Sequence, residues 1–272
     1  MTIAIEAPHV AGEAFDRLAA QYDSLFTFSL VGRSQRDVVW QRAAAAFEPG
    51  SRVLELNCGT GEDAMFLARR GVSVTACDAS SQMIRRAKNR KMREAPDASI
   101  DFRVLPSEQL DELSNQPLFD GVFSNFSGLN CVADLPAVFH QLASLLRPGA
   151  KLLLCLSTPV CAWEILHYAL RGNFQRAVRR CHGTSLVSFD DFSFRVYYPT
   201  IRSLRGMFGP AFQLCTVTGV GVTVPPSYLE SWVSRHGRLL DRLKRIDAMI
   251  CEWPLFRVVG DHMLLQLERT QS

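Results

Sequence analysis

The 272-residue chain lacks the marks of a membrane or exported protein. Its first thirty residues carry Glu6, Glu13, Asp16, Arg17 and Asp23 where a basic start and an apolar core would stand, so no signal peptide is expected. No apolar run approaches the roughly 18 residues that span a bilayer, so no membrane span is expected. The eight cysteines (Cys58, Cys77, Cys131, Cys155, Cys161, Cys181, Cys215 and Cys251) form no CxxC pair, and several lie in apolar runs. That pattern predicts buried, reduced thiols in a cytoplasmic protein. No Cys/His spacing suits zinc, so no metal is expected. Internal repeats, low-complexity tracts and charge blocks are missing as well. A net charge of +3 is too small to argue for a nucleic-acid or membrane partner, and with no basic arm or recognition domain nucleic acid is not expected as a substrate.

What is present reads as an ordinary globular domain, with 47% hydrophobic and 21% charged residues. Phe15, Leu18, Ala19 and Tyr22 have helical spacing, and a second helical stretch, "SQRDVVWQRAAAAF", follows. After the break at "EPGS" the period changes. "RVLEL", "VSVTACD", "IDFRVL", "FDGVFSN" and "KLLLCLS" read as short strands alternating with helices, which predicts a parallel sheet covered on both faces. Beyond Pro159 the order loosens. A helix with a break at Gly172, one or two aromatic-rich strands in "SLVSFDDFSFRVYY" and a helix capped by Thr200 come first. The strand "FQLCTVTGVGVTV", a helical insertion and the closing strand "HMLLQLER" come last.

The stretch "VLELNCGTGEDA" carries the chemistry. Gly59-Thr60-Gly61-Glu62-Asp63-Ala64 fits G-x-G-x-x-A after a strand, and Asp78 follows Gly59 by 19 residues at the end of the next strand. Glycines allow the tight turn and close ligand approach, and the acid is placed to bond ribose hydroxyls, so a nucleoside ligand is expected. Charge separates the candidates. A dinucleotide would set its pyrophosphate on a helix N-terminus here. Glu62 and Asp63 are explained by the helix dipole, but Glu55 is not. A carboxylate at the end of the first strand repels phosphate and suits a cation, such as the ammonium and sulfonium of S-adenosylmethionine.

These residues resemble the class I S-adenosylmethionine-dependent methyltransferases. "VLELNCGTGEDA" is similar to the family's E-x-G-x-G-x-G motif, and "ACDASSQMIRRAK" to its second motif. "LPSEQL" resembles the adenine-side loop, "FDGVFSNFSGLNCV" the fourth strand and its loop, and "LLRPGAKLLLCLS" the L-x-P-G-G turn into strand five. The leading "FDRLAAQYD" is similar to the helix of small-molecule members such as the ubiquinone and menaquinone C-methyltransferases. The resemblance implies an α/β, Rossmann-like, doubly wound and mostly parallel seven-stranded sheet. It implies a helical cap over residues 1–47, a core over 48–158, a lid over 159–212, and the last two strands over 213–272 with a helical insertion at 226–256. S-adenosylmethionine is the implied cofactor, and the acceptor a small, apolar or aromatic molecule methylated on O, N or C.

Residue by residue, the resemblance implies that Gly59 and Gly61 wrap the methionine part near Glu55 and Asn57, and that Asp78 accepts the ribose hydroxyls. Ala79 and Met83 would border the adenine, with Ser107 and Glu108 at its edge. Asn125 and Phe126 would face the sulfonium. Tyr22 would close over the methionine carboxylate with Arg33 or Arg36. Asn57 replaces a motif glycine, which its tolerance of positive φ permits; Ser107 replaces a common Asp. The candidates for a general base are His167, His182 and His262, with Tyr197 or Tyr198 as alternatives. Arg171, Arg176, Arg179, Arg180 and His182 form a basic cluster, read either as an anion site or as solvated helix faces. The aromatics Trp163, Tyr168, Phe174, Phe189, Phe192, Phe194, Tyr197 and Tyr198 fall in the lid. Ser124-Asn125 offers no acidic metal ligands and no D/N-P-P-Y motif, against catechol or base-amino methylation. An NAD-dependent oxidoreductase and a catalytically silent S-adenosylmethionine-binding protein stay open.

Overall fold

The computed structural model describes residues 9–189 and 192–271. Glu6 and the Asp190-Asp191 pair lie outside the described residues, as do the side chains of Phe189 and Phe192. Nine strands are described: β1 (Arg52–Leu56), β2 (Ser73–Asp78), β3 (Ile100–Val104), β4 (Phe119–Ser124), β5 (Leu146–Ser157), β6 (Thr184–Phe189), β7 (Phe192–Tyr197), β8 (Phe212–Val220) and β9 (His262–Arg269). The helices are α1 (His9–Tyr22), α2 (Leu30–Ala46), α3 (Glu62–Arg69), α4 (Ser81–Glu94), α5 (Leu135–Leu145), α6 (Ala162–Ala169), α7 (Phe174–Ala177), α8 (Ile201–Phe208), α9 (Glu230–Val233) and α10 (Gly237–Ile250).

Seven strands form one sheet in the order β3-β2-β1-β4-β5-β9-β8. β1 to β5 run parallel, while β9 is antiparallel to both β5 and β8. The order reverses between β1 and β4, the switch point where such sheets open a crevice at the carboxyl ends of their strands. Alternation along β5 supplies both faces. Leu152, Leu154 and Leu156 enter the core under α5 and α8, whereas Leu153 and Cys155 join the core under α2, α3 and α4. β6 and β7 form a separate antiparallel hairpin, so the aromatic-rich stretch is two strands standing apart from the main sheet.

The break read at Gly172 is present, and two other sequence readings change in detail. The helix across Gly172 is broken there, because Gly172 has φ +71°, and α6 and α7 are separate pieces. The strand read through "GVGVTV" ends at Val220, and Gly221 turns the chain with φ +65°. Not all thiols are buried, since Cys181 and Cys215 are exposed; all eight are free.

The N-terminal helix is tied to the sheet's loops by polar contacts that its apolar spacing did not announce. Asp16 accepts from Ser80 Oγ at 2.5 Å and from the backbone N–H of Gln82 at 2.9 Å, at the start of α4. A Cβ on Gly12 would stand 3.0 Å from the Ala79 carbonyl, so glycine permits this close crossing. About two turns further, Asp23 accepts from Thr60 Oγ1 and from Arg90 Nη2, both at 2.6 Å. Arg90 also reaches Glu62 at 2.6 Å, so this nearly fully buried guanidinium bridges the cap to the helix behind the glycine loop.

Candidate active site

The glycine loop leaves β1 and turns back through a run of left-handed residues. Asn57 has φ +55°, Gly59 +54° and Gly61 +79°. Asn57 is held from two sides: Ser107 Oγ donates to its Oδ1 at 3.3 Å, and a Cβ on Gly128 would fall 2.2 Å from the Asn57 Cβ. Gly128 is therefore the glycine that lets an Asn occupy this turn. At Gly61 an added Cβ would meet Phe102 and Ala87 at 2.8 and 2.9 Å, so this glycine serves close helix packing as well as the turn. Gly59 faces only the Tyr22 ring, at 3.7 Å.

Two carboxylates flank this loop. Asp78 Oδ2 accepts the Gly59 N–H and its Oδ1 the Ser80 N–H, both at 2.8 Å. Burial raises its pKa to about 6 against the pull of those two N–H donors. Glu55 is buried on β1, and its Oε2 has no hydrogen-bond partner. Burial, then Asp63, push its pKa well above the ordinary value, while Arg36 opposes them. A buried, unpartnered carboxyl oxygen is costly unless a donor or cation reaches it.

Past β4 the chain is strained. Phe126 and Ser127 have φ +47° and +67°, consecutive positive values at non-glycine residues, which cost about 1–3 kcal/mol each. Contacts over-determine this turn. Asn125 Nδ2 donates to Asp63 Oδ2 at 3.1 Å, and Asn125 Oδ1 accepts the Phe126 N–H at 2.9 Å. Ser127 N–H donates to the Cys155 carbonyl at 3.0 Å, and its hydroxyl pairs with that of Ser157 at 2.7 Å. The Phe126 ring is thereby turned between Arg36, 4.7 Å from its centroid, and His262, edge-on at 5.5 Å.

Two cavities meet here. One, of about 70 Å³, is lined by Gly12, Asn57, Gly59, Asp78, Ala79 and Met83, among others, the residues expected from the sequence around ribose and adenine. The other, of about 310 Å³, includes Gln35, Arg36, Ser157, Tyr228, Asp261 and His262 in its wall. Phe15, Tyr22 and Phe126 belong to both, so they form the partition. Burial raises the Tyr22 hydroxyl to about 12, keeping it a neutral donor.

Several sequence candidates do not reach these cavities. Arg33 is exposed and lies over Phe28, because it points away on α2; Arg36, three residues on, lines the larger cavity and pairs with Asp63 at 2.5 Å. Ser107 is buried against Asn57, and neither it nor Glu108 lines the smaller cavity. Among the base candidates, His182 is exposed. His167 stays outside the larger cavity with Nδ1 2.9 Å from Arg171, and Tyr198 is buried with its hydroxyl on Ser185 at 3.0 Å. Of the three histidines weighed as bases, His262 alone lines the larger cavity.

Two arginines of the basic cluster are neutralised. Arg179 and Arg180 both pair with the buried Glu164, at 2.6 and 2.9 Å, and Arg180 also pairs with Asp261 at 2.9 Å. This removes the reading of those two arginines as a free anion site. Asp63, Gln35, Tyr228 and Asp261 were not singled out from the sequence. Asp63 carried a plain signal, an acid in a first helical turn, that the helix dipole already explained.

With this geometry in view, residues 53–149 match the family described as "Methyltransferase domain". A demethylmenaquinone methyltransferase from Mycobacterium sp. (strain KMS) is 35% identical over 156 residues, which cover 56% of this chain and 62% of the relative. The chain therefore spans less than two thirds of that relative's length. Among solved structures, the N-methyltransferase NodS from Bradyrhizobium japonicum WM9, in complex with S-adenosylhomocysteine, superposes with a TM-score of 0.58. It is 14% identical, and 97% of this chain and 100% of that chain are covered. The [4+2]-cyclase SpnF superposes at 0.63, 13% identical and 100% covered on both sides. At these identities the likeness is one of fold. The strand order and the glycine-loop geometry are those of a Rossmann-like sheet, and the stretch from residue 53 to 149 is similar to a methyltransferase domain.

Proposed function

We propose that the chain transfers a methyl group from S-adenosylmethionine to an oxygen, nitrogen or carbon of a small, apolar or aromatic molecule. The observation that carries this reading is Glu55, a buried carboxyl with an unpartnered oxygen behind the glycine loop. Burial favours its neutral form, which a cation reaching Oε2 would ionise, as the ligand's ammonium would and a pyrophosphate would not. Asp78 keeps acceptor capacity beyond its two backbone donors and would take the ribose hydroxyls. Ala79 and Met83 would border the adenine, and Asn125 and Phe126 the sulfonium. Tyr22, with Arg36 and not Arg33, would lie over the methionine carboxylate.

The cofactor supplies an electrophilic methyl carbon; the chain's part is to orient and dry the reactants. At about 70 Å³ the cofactor-side cavity is far below the ~300–1,000 Å³ of ligand pockets, so α1 and Tyr22 must move outward to admit it. The acceptor would take the 310 Å³ cavity across the Phe126 partition. We take the setting to be the cytoplasm, in keeping with eight free thiols, and the acceptor to be no nucleic acid, in keeping with a net charge of only +3. No described helix is long and apolar enough to cross a membrane.

Calorimetry with S-adenosylmethionine and NADH side by side tests the cofactor. Binding of the first is expected, and tight binding of NADH alone would sink the proposal. Release of S-adenosylhomocysteine with a panel of small phenols, amines and hydroquinones tests the transfer, and a silent binder would release none with any of them.

A further inference from the structure

The sequence "GDH" before the last strand reads as a simple turn, yet three elements converge on it. Arg180, in the turn after α7, donates through Nη1 to the Asp261 carbonyl and through Nη2 to Asp261 Oδ1, both at 2.9 Å. Its Nε donates to Glu164 Oε2 on α6 at 3.0 Å. Gln35 on α2 donates to Asp261 Oδ2 at 3.4 Å. The carboxylate so fixed stands 3.6 Å from His262 Nδ1, and that nitrogen is buried with no hydrogen-bond partner.

A turn needing only stability has no use for this arrangement, since buried ion pairs are a poor source of it. The other side of the imidazole is open to chemistry. His262 lines the 310 Å³ cavity and meets Phe126, the partition from the cofactor side. A carboxylate beside Nδ1 favours the tautomer with its proton there, leaving Nε2 a free acceptor, and it stabilises the imidazolium that forms when Nε2 takes a proton.

We propose that His262 is the general base of the methyl transfer, with Asp261 as its positioning residue and Arg180 holding Asp261 from the lid. This rests on the methyltransferase reading and narrows its acceptor to one whose attacking atom sheds a proton, such as a phenol or an enol. In the step, an electron pair of the acceptor forms the bond to the methyl carbon. The sulfur–methyl bond breaks with its pair staying on sulfur, which becomes neutral. The acceptor's proton passes to His262 Nε2 and from there to solvent.

The charges around the ring support a neutral resting state. Asp261 faces it on one side, itself paired with Arg180; Arg36, across Phe126, is paired with Asp63. Burial lowers the His262 pKa, partly offset by Asp261.

Nitrogen-15 NMR of histidine-labelled protein tests this without any acceptor, the His262 signal being assigned by its loss in His262→Gln. The expected spectrum at neutral pH is an uncharged ring protonated on Nδ1, with the preference weakened in Asp261→Asn. A ring protonated on Nε2, or a charged ring, overturns the proposal. Where a hydroxynaphthalene is turned over, His262→Gln should lower kcat by about 10²–10⁴-fold with little change in KM, and unchanged turnover would also overturn it. Calorimetry with S-adenosylmethionine keeps the two readings apart. Wild-type protein that fails to bind it refutes methyl transfer, whereas a His262→Gln variant that binds normally and turns over normally refutes only the base.

Discussion

The two halves of the site treat charge in opposite ways. Around the glycine loop, carboxyl oxygens are left available: Glu55 Oε2 has no partner, and Asp78 meets only two backbone N–H groups. Around the larger cavity, side-chain charges satisfy each other, with Arg179 and Arg180 against Glu164 and Asp261. The first half is built to be completed by a ligand. The second is a closed network whose product is the orientation of a few groups and not an attraction for charge. A basic cluster in sequence is therefore poor evidence for an anionic substrate when its counter-ions come from elsewhere in the fold.

This contrast is broken most sharply at Arg180. Arg180→Ala strands Asp261 as a buried acid without its arginine and leaves Glu164 to Arg179 alone, and a loss of about 3–5 kcal/mol in urea unfolding is expected. Gly61→Ala comes next, combining a forced left-handed alanine with contacts under 3 Å to Phe102 and Ala87. It should cost roughly 2–4 kcal/mol in the same measurement. Asp78→Ala should leave the fold intact and weaken S-adenosylmethionine by about 1.5–3 kcal/mol in calorimetry, the scale of hydrogen bonds to a charged group. Wild-type affinity in that variant would refute the ribose role.

The same group gives a pH dependence. Its pKa without ligand is raised to about 6, and the ionised form is the one that accepts hydroxyls. Affinity should hold above pH 6 and fall as the pH drops through it, and a flat profile from pH 7.5 to 5 would place Asp78 outside the contact. Arg33→Ala is the smallest change: with an exposed side chain away from both cavities, it should alter stability and affinity by no more than ~0.5 kcal/mol.

Much of the first half was legible because its parts are local. The turn at Asn57, the acid 19 residues beyond Gly59 and the strand periods all lie within one strand–loop–helix unit. Backbone geometry there is set by neighbours in sequence. The role of Gly128 was not legible, because what makes it necessary is the Asn57 side chain, brought against it by the pairing of β1 with β4. Arg33 and Arg36 could not be separated by composition, since three helical residues decide which of them faces Phe126 and which faces solvent.

By itself the sequence determined the class of sheet, the place of the ligand loop and the sign of charge behind it. Those follow from periodicity, glycine conformations and a single carboxylate in the wrong place for phosphate. Only the tertiary structure decided which of the candidate histidines lines the larger cavity and which arginines are already paired. Arg36, Arg180, Tyr228 and His262 lie on segments far apart in the chain, and β9, entering antiparallel between β5 and β8, brings the last of them to the cavity. Short-range spacing carries no record of such meetings.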